Sequence, residues 1–317
     1  MRIVVLDDYQ GVALEHGDWS RLPDDCEVHT VREHLGSDEE LLAALAGAEI
    51  VVAMRERTAF TAARLGRMPD LRLLVTTGMG NAAIDIEAAA RNGITVCGTG
   101  GVASATVEHS WALILAWARS IPTEDRNVRN GGWQATVGFD LAGRTLGLVG
   151  LGRLGSAMVP VAKAFGMEVL AWSQNLDPAA AAEAGARAVI KEELFRQADV
   201  VSVHYKLSER SAGLVGSEEL GLMKRTALLV NTSRGPIVDT AALLNALWNH
   251  RIAGAALDVY DTEPLPPDDP LRQSPRTVLT PHLGYVTSNT YDAFYGDAVE
   301  DIAAFLAGDP VRVLAAP

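Results

Sequence analysis

Three segments in the second half of the chain each set one charged or titratable side chain just past an apolar run. They are "VNTSRGPIVD" (230–239), "ALDVYDTEPLP" (256–266) and "LTPHLGYVT" (279–287), and the side chains are Arg234, Glu263 and His282. Their chemistries complement one another. An arginine holds a carboxylate through two parallel hydrogen bonds. A histidine gives and takes a proton near neutral pH, and a glutamate beside it favours its charged form. Each residue also has a plain reading. Arg234 could be a solvated loop charge or a partner of Asp239, and Glu263 could belong to the acidic, proline-rich loop that holds Asp268 and Asp269.

The elements that must position these side chains alternate between short apolar runs and Ala- and Leu-rich helical stretches, a pattern of parallel α/β architecture. The first third offers strands at 2–6, 27–31, 48–54, 71–77 and 93–97, with helical stretches at 37–47 and 85–93. Their near-continuous apolar character predicts a sheet covered on both faces. A buried helix is expected over "VASATVEHSWALILAWARS" (102–120), with Glu108 and His109 as satisfied buried polar groups. Residues 121–143 have little periodicity and two adjacent glycines, so they read as an arm or linker. A second series follows, with strands at 144–149, 168–173, 199–204, 226–232, 254–259 and 277–281. A last helix at 291–308 ends in the turn signal Gly308-Asp309-Pro310. In such sheets ligands bind beyond the C-terminal ends of the strands, where Arg234, Glu263 and His282 fall.

Between the two series lies "GLGRLG" (150–155), directly after the apolar "TLGLV" and at the head of a predicted helix. Gly150 permits a tight turn, Gly152 lets a pyrophosphate approach the backbone, and Gly155 lets helix and strand pack closely. The N–H groups of the helix start, at Arg153 and Leu154, then face the phosphate charge. Pro160 lies inside this helix and should kink it or remove a hydrogen bond. An acidic residue normally ends the next strand and grips the ribose of NAD. Here Ser173 stands there, followed by Gln174 and Asn175, with Lys206 the nearest basic candidate. NAD is the expected cofactor, and NADP is not excluded.

With 317 residues, two domains are the natural expectation. A net charge of −13 argues against nucleic acid, which needs clustered Lys and Arg. The two cysteines, Cys26 and Cys97, show no metal-like or redox spacing, which fits a cytoplasmic compartment. No metal site is expected. The N-terminal apolar run is too short for a signal peptide, and no run approaches the roughly 18 residues of a membrane span.

Nearly the whole chain resembles the D-isomer-specific 2-hydroxyacid dehydrogenase family, which includes phosphoglycerate, glyoxylate/hydroxypyruvate and D-lactate dehydrogenases. "LRLLVTTGMGNAAIDIEAAARNGITVCGTGG" (71–101) is similar to its substrate-loop region and "GRTLGLVGLGRLG" to its cofactor motif. The three segments above are similar to its Arg, Glu and His signatures. The resemblance implies two doubly wound parallel-sheet domains: a flavodoxin-like substrate domain of residues 1–99 and 283–317, and a Rossmann domain of residues 100–282. It implies hydride transfer between NAD(P) and a D-2-hydroxy acid or its 2-keto acid. Arg234 would bind the substrate carboxylate, and His282 would exchange a proton with the substrate oxygen while Glu263 keeps it charged. Asp258 would contact the nicotinamide, and Gly150, Gly152, Arg153, Leu154, Gly155, Ser173, His204 and Thr232 would line the cofactor. Gly78, Met79 and Gly80 would bind the carboxylate through N–H groups. Arg55 and Arg57 follow a strand of the first domain; Arg55 reads equally as a surface charge or a substrate contact, and Arg57 less as a contact. A homodimer built on the 102–143 region is implied too, with Trp111, Trp117 and Trp133 in core or subunit contacts.

The chain departs from the family at Ser173 and at Lys206, where a proline is common, and it has no room for the C-terminal regulatory domain of longer phosphoglycerate dehydrogenases. Two rival readings stand beside this one. One is a dinucleotide-sensing protein like the family's transcriptional corepressors. The other is a formate dehydrogenase, but those enzymes carry glutamine where Glu263 stands.

Overall fold

The computed structural model describes residues 1–317. The chain divides into two compact units, Met1–Val102 with Val286–Pro317, and Ala103–Tyr285.

The first unit holds strands β1 (Arg2–Val5), β2 (Glu27–Thr30), β3 (Ile50–Ala53), β4 (Leu73–Thr76), β5 (Thr95–Gly98) and β13 (Val313–Ala315); labels follow chain order. They lie in the order β13-β5-β4-β3-β1-β2, parallel except for antiparallel β13. Stripped of β13 this is the flavodoxin-like order. Strands β3, β4 and β5 are buried along their whole length, as continuous apolar runs require, while edge strand β2 alternates exposed and half-buried residues. Helix starts are set by side chains the sequence provides. Ser37 and Glu40 form a capping box, Asp85 caps Ile86–Arg91, and Thr287 caps Ser288–Leu306.

Strand β13 has no counterpart in the sequence reading, which ended at the Gly308 turn. Three residues carry too little pattern, and what holds them is a polar anchor. Arg312, at φ 50, donates from Nε to Asp301 Oδ1 at 2.9 Å and from Nη2 to the Asp297 carbonyl at 2.9 Å, and pairs through Nη1 with Glu300 at 2.7 Å. Its own carbonyl accepts from Gly98 N–H at 3.1 Å, which starts the β13–β5 ladder. Asp301 is fully buried, and desolvation pushes it up to about 7 against the pull of Arg312.

The second unit holds β6 (Thr145–Val149), β7 (Glu168–Trp172), β8 (Arg187–Ala188), β9 (Val200–Val203), β10 (Leu228–Asn231), β11 (Gly254–Leu257) and β12 (Thr277–Leu279). All seven are parallel, in the order β12-β11-β10-β9-β6-β7-β8. This is the doubly wound Rossmann order with one further strand, and its switch point lies between β6 and β9. The two-residue β8 was too short to be read from sequence. The expected buried helix is Ala103–Ala118. Glu108 on it is exposed, contrary to expectation. Residues 121–143 are not all arm, since Ile121–Arg129 forms a helix. Glu124 on that helix accepts from Ala135 N–H, Thr136 N–H and Thr136 Oγ1, folding the following stretch back over it. Pro160 sits within Arg153–Ala164, which runs on past it, so it removes a backbone donor without ending the helix.

Because the folded-state pKa of Asp301 lies above the unfolded value, the native state binds the extra proton, and stability falls as pH rises from about 4 to 7. Asp301→Asn, which keeps an acceptor for Arg312, should therefore gain on the parent by roughly 2–4 kcal/mol across that window. Denaturant titrations at pH 4.5 and pH 8 check this, and a difference that does not grow with pH contradicts it.

Candidate active site

The glycine loop follows β6. Gly150 donates its N–H to the Trp172 carbonyl at 2.8 Å and adopts φ +101, and a Cβ there would lie 2.4 Å from the His204 carbonyl oxygen. At Gly155 a Cβ would come within 2.1 Å of the Gly150 carbonyl oxygen. Both glycines are thus required by the protein's own packing. Gly152 differs, since a Cβ there would meet nothing within 4 Å, and its φ of −82° is open to any residue. Gly152 caps the helix Arg153–Ala164, so the open space above it faces the unpaired N–H groups of the first turn at Arg153 and Leu154. A glycine that nothing in the fold demands, beside a bare helix start, fits the pyrophosphate of a dinucleotide.

Ser173, beyond β7, accepts from Leu151 N–H at 3.2 Å, so its hydroxyl braces the glycine loop. His204, beyond β9, pairs through Nε2 with Ser202 Oγ at 2.9 Å, and burial pushes its pKa down to about 4. It is neutral across the physiological range and is no acid–base candidate. Thr232 shares a 2.8 Å hydrogen bond with Ser110 Oγ, on the buried helix.

The other three side chains follow β10, β11 and β12, which are neighbours in the sheet. Beyond β10 the Asn231 side chain accepts from Ser233 N–H and donates to the Arg234 carbonyl, and Ser233 Oγ donates to the Val203 carbonyl. These bonds turn the chain so that Arg234 stands at the edge, its Nη1 donating to the Ser233 carbonyl at 2.7 Å. Gly235 is required by contact, because a Cβ there would lie 2.1 Å from the Tyr260 carbonyl carbon. Asp239, the alternative partner for Arg234, caps the next helix through Ala242 N–H.

Beyond β11, Glu263 Oε1 accepts from Tyr260 N–H at 2.9 Å, and its Oε2 lies 2.6 Å from His282 Nδ1. That leaves Nε2 as the imidazole atom that can address a ligand. Tyr260 donates its hydroxyl to the Thr280 carbonyl at 2.9 Å, tying the β11 loop to the β12 loop, and desolvation raises its pKa. His282 itself is held at φ 55 and lies edge-on to Tyr285.

Asp258 lies at the end of β11. Its carboxylate is fully buried and taken by protein donors: Thr280 Oγ1 at 2.6 Å, Leu283 N–H at 2.7 Å, Gly284 N–H at 2.8 Å and His109 Nε2 at 3.1 Å. These bonds fasten the segment that carries His282. His109 lies on the helix Ala103–Ala118. It does satisfy a buried group, as expected, but that group is the one holding the histidine loop.

In the first unit Arg55, at φ 51, takes a bond from its N–H to Thr77 Oγ1 and donates from Nη1 to the Thr77 carbonyl at 3.2 Å. Its guanidinium lies where a Cβ on Gly78 would be, 1.8 Å from Nη1, which explains that glycine. The Gly78 N–H is not available to a carboxylate as expected, since it donates to Thr99 Oγ1 at 2.8 Å. Met79 and Gly80 are exposed. No group of His, Cys, Asp and Glu side chains could hold a metal ion.

Residues 111–284 match the model of the D-isomer specific 2-hydroxyacid dehydrogenase NAD binding domain. Glyoxylate reductase of Aeropyrum pernix is 42% identical over 77% of this chain and 76% of its own. The chain belongs to this dehydrogenase family. D-3-phosphoglycerate dehydrogenase of Archaeoglobus fulgidus is 37% identical over 87% of this chain but 53% of its own, so the chain spans about half of that relative. The crystal structure of a phosphoglycerate oxidoreductase from Vibrio cholerae superposes with a TM-score of 0.93 at 35% identity, covering 97% of this chain and 99% of that one. This member of the family is an NAD-dependent 2-hydroxyacid dehydrogenase acting on small hydroxy and keto acids, and a sensing protein without turnover is not favoured.

The glycine loop supplies a direct check of the cofactor fit. Gly155→Ala should lower stability by about 1–3 kcal/mol, the usual cost of overpacking. Gly152→Ala should melt like the parent yet bind NADH about tenfold more weakly or worse. Thermal melts with fluorescence titration separate the two, and unchanged NADH binding in Gly152→Ala would contradict the cradle.

Proposed function

We propose that the enzyme reduces small, unphosphorylated 2-keto acids to D-2-hydroxy acids with NADH, and that Arg234, Glu263 and His282 carry the reaction. The observation that supports it most is the placement of these three side chains at the C-terminal ends of adjacent strands, with Glu263 bonded to His282 Nδ1 at 2.6 Å. Arg234 holds the substrate carboxylate and orients the keto oxygen. His282 donates a proton from Nε2 to that oxygen, and Glu263 balances the charge and fixes the ring. The bound nicotinamide supplies the hydride. Gly150, Gly152, Arg153, Leu154, Gly155, Ser173, His204 and Thr232 form the cofactor side. Met79 and Gly80 offer N–H groups to the substrate.

The substrate class rests on Arg55 and Arg57. Arg55 Nε lies 3.7 Å from Glu56 Oε2, and its Nη1 is bonded to the Thr77 carbonyl. Arg57 donates to the Asp7 carbonyl at 2.8 Å and stacks over Tyr9 at 4.3 Å. A dianionic phosphate would meet two arginines already engaged and the carboxylate of Glu56. The relatives named as glyoxylate reductases fit this better than those named for phosphoglycerate. NADH is preferred to NADPH because residues 173–177 offer no Arg or Lys for a 2′-phosphate.

Ile121, Val128, Trp133 and Val137 are exposed apolar residues of the 121–143 region. We take them as the subunit contact of a homodimer, which elution at the mass of one chain would reject. The cysteines are free, no helix is long and apolar enough to cross a membrane, and the charge is −13. Together these support a cytoplasmic enzyme without nucleic-acid or membrane partners.

Both halves of the reading are checked by one kinetic panel. Glyoxylate and hydroxypyruvate with NADH should be turned over, with kcat/KM at least about tenfold above that for phosphohydroxypyruvate. Arg234→Ala should lose about 100-fold or more in kcat/KM while binding NADH normally. A phosphorylated substrate used best, or NADH binding lost with Arg234, overturns the corresponding half.

A further inference from the structure

The buried helix Ala103–Ala118 reaches two of the loops that carry the proposed chemistry. Ser110 bonds Thr232, two residues before Arg234, and His109 reaches the β11 and β12 loops at once. His109 Nε2 lies 3.1 Å from Asp258 Oδ1 and 3.0 Å from Thr280 Oγ1, and Thr280 Oγ1 donates to the same Oδ1 at 2.6 Å. A carboxylate oxygen only accepts, so Nε2 faces it as an N–H donor. Oδ1 therefore collects three donors, counting Leu283 N–H, while Oδ2 takes Gly284 N–H.

Those two amides directly follow His282, which is held in the left-handed region at φ 55. For a histidine that conformation is unfavourable by about 1–2 kcal/mol and persists only where neighbouring bonds over-determine it. Asp258 supplies such bonds, and its own position depends on the donors around it. A buried carboxylate that loses one turns toward others or admits water.

We propose that His109 is a positioning residue for the proton-donating histidine, acting through Asp258 on the 280–284 loop. It makes no hydrogen bond to the Glu263–His282 pair. Its N–H holds the Asp258 carboxylate in the rotation that grips Leu283 and Gly284, which keeps His282 Nε2 aimed. The inference rests on the role proposed above for His282.

Side-chain replacements that differ in where they place an N–H test it. Glutamine sets its amide nitrogen near the position of Nε2, whereas asparagine is too short, and leucine has no donor. With glyoxylate and NADH, His109→Leu and His109→Asn should lose about 10- to 100-fold in kcat, as a misaimed group costs. NADH affinity and KM should stay within about threefold, and His109→Gln should recover most of kcat. Hydrogen–deuterium exchange over residues 280–287 should quicken in the leucine and asparagine variants and return toward the parent rate in the glutamine variant. Parent-like kcat and loop exchange in His109→Leu or His109→Asn would overturn the proposal. So would equal losses of activity and melting temperature in all three variants, which mark a packing role alone. Should the parent enzyme fail to reduce glyoxylate, the proposed function falls, and loop exchange still decides the part played by His109.

Discussion

The site hangs on one buried carboxylate. Asp258, at the end of β11, gathers a hydroxyl, an imidazole and two consecutive backbone amides, and in doing so fixes the course of the chain through His282. A charge with no exposure is tolerable only when its oxygens are fully hydrogen-bonded. That demand makes the β12 loop rigid. It also accounts for Gly284, where a Cβ would press to 3.1 Å from Asp258 Oδ2. Tyr260 and Glu263 extend the same scaffold, since each bridges the β11 loop to the β12 loop.

Sheet order does the rest of the positioning. Strands β10, β11 and β12 are far apart in sequence but adjacent in space, so residues 234, 263 and 282 issue from neighbouring strand ends. The glycine loop lies across the switch point, after β6, next to β9. His204 beyond β9 is kept neutral by burial, whereas His282 beyond β12 has a carboxylate partner in Glu263.

Much of this was legible in the residues. The long strands announced themselves as apolar runs, and strand–glycine loop–helix read correctly because each glycine answers a steric demand or leaves a deliberate gap. Arg234, Glu263 and His282 stand out as charged or titratable residues ending apolar runs, and the structure sets them beyond adjacent strands. What was not legible depends on contacts between distant segments. Strand β13 exists because Arg312 meets Asp301, and no pattern in three residues could say so. The resemblance implies a cofactor contact for Asp258, and nothing in its sequence neighbourhood announced the four protein donors that gather on it. Gly78 likewise gave no sign that its N–H would be taken by Thr99, 21 residues on. His109 reads as a satisfied polar group, but its place in an apolar helix gave no sign that its partners would be Asp258 and Thr280.

The central claim is that His282 delivers the proton while NADH binding depends on other residues. The most direct measurement is kcat for glyoxylate reduction by His282→Gln, taken with its NADH dissociation constant. Loss of a positioned acid should lower kcat by about 100- to 10,000-fold with NADH affinity unchanged. A variant that keeps kcat within a few-fold of the parent would show that another group supplies the proton.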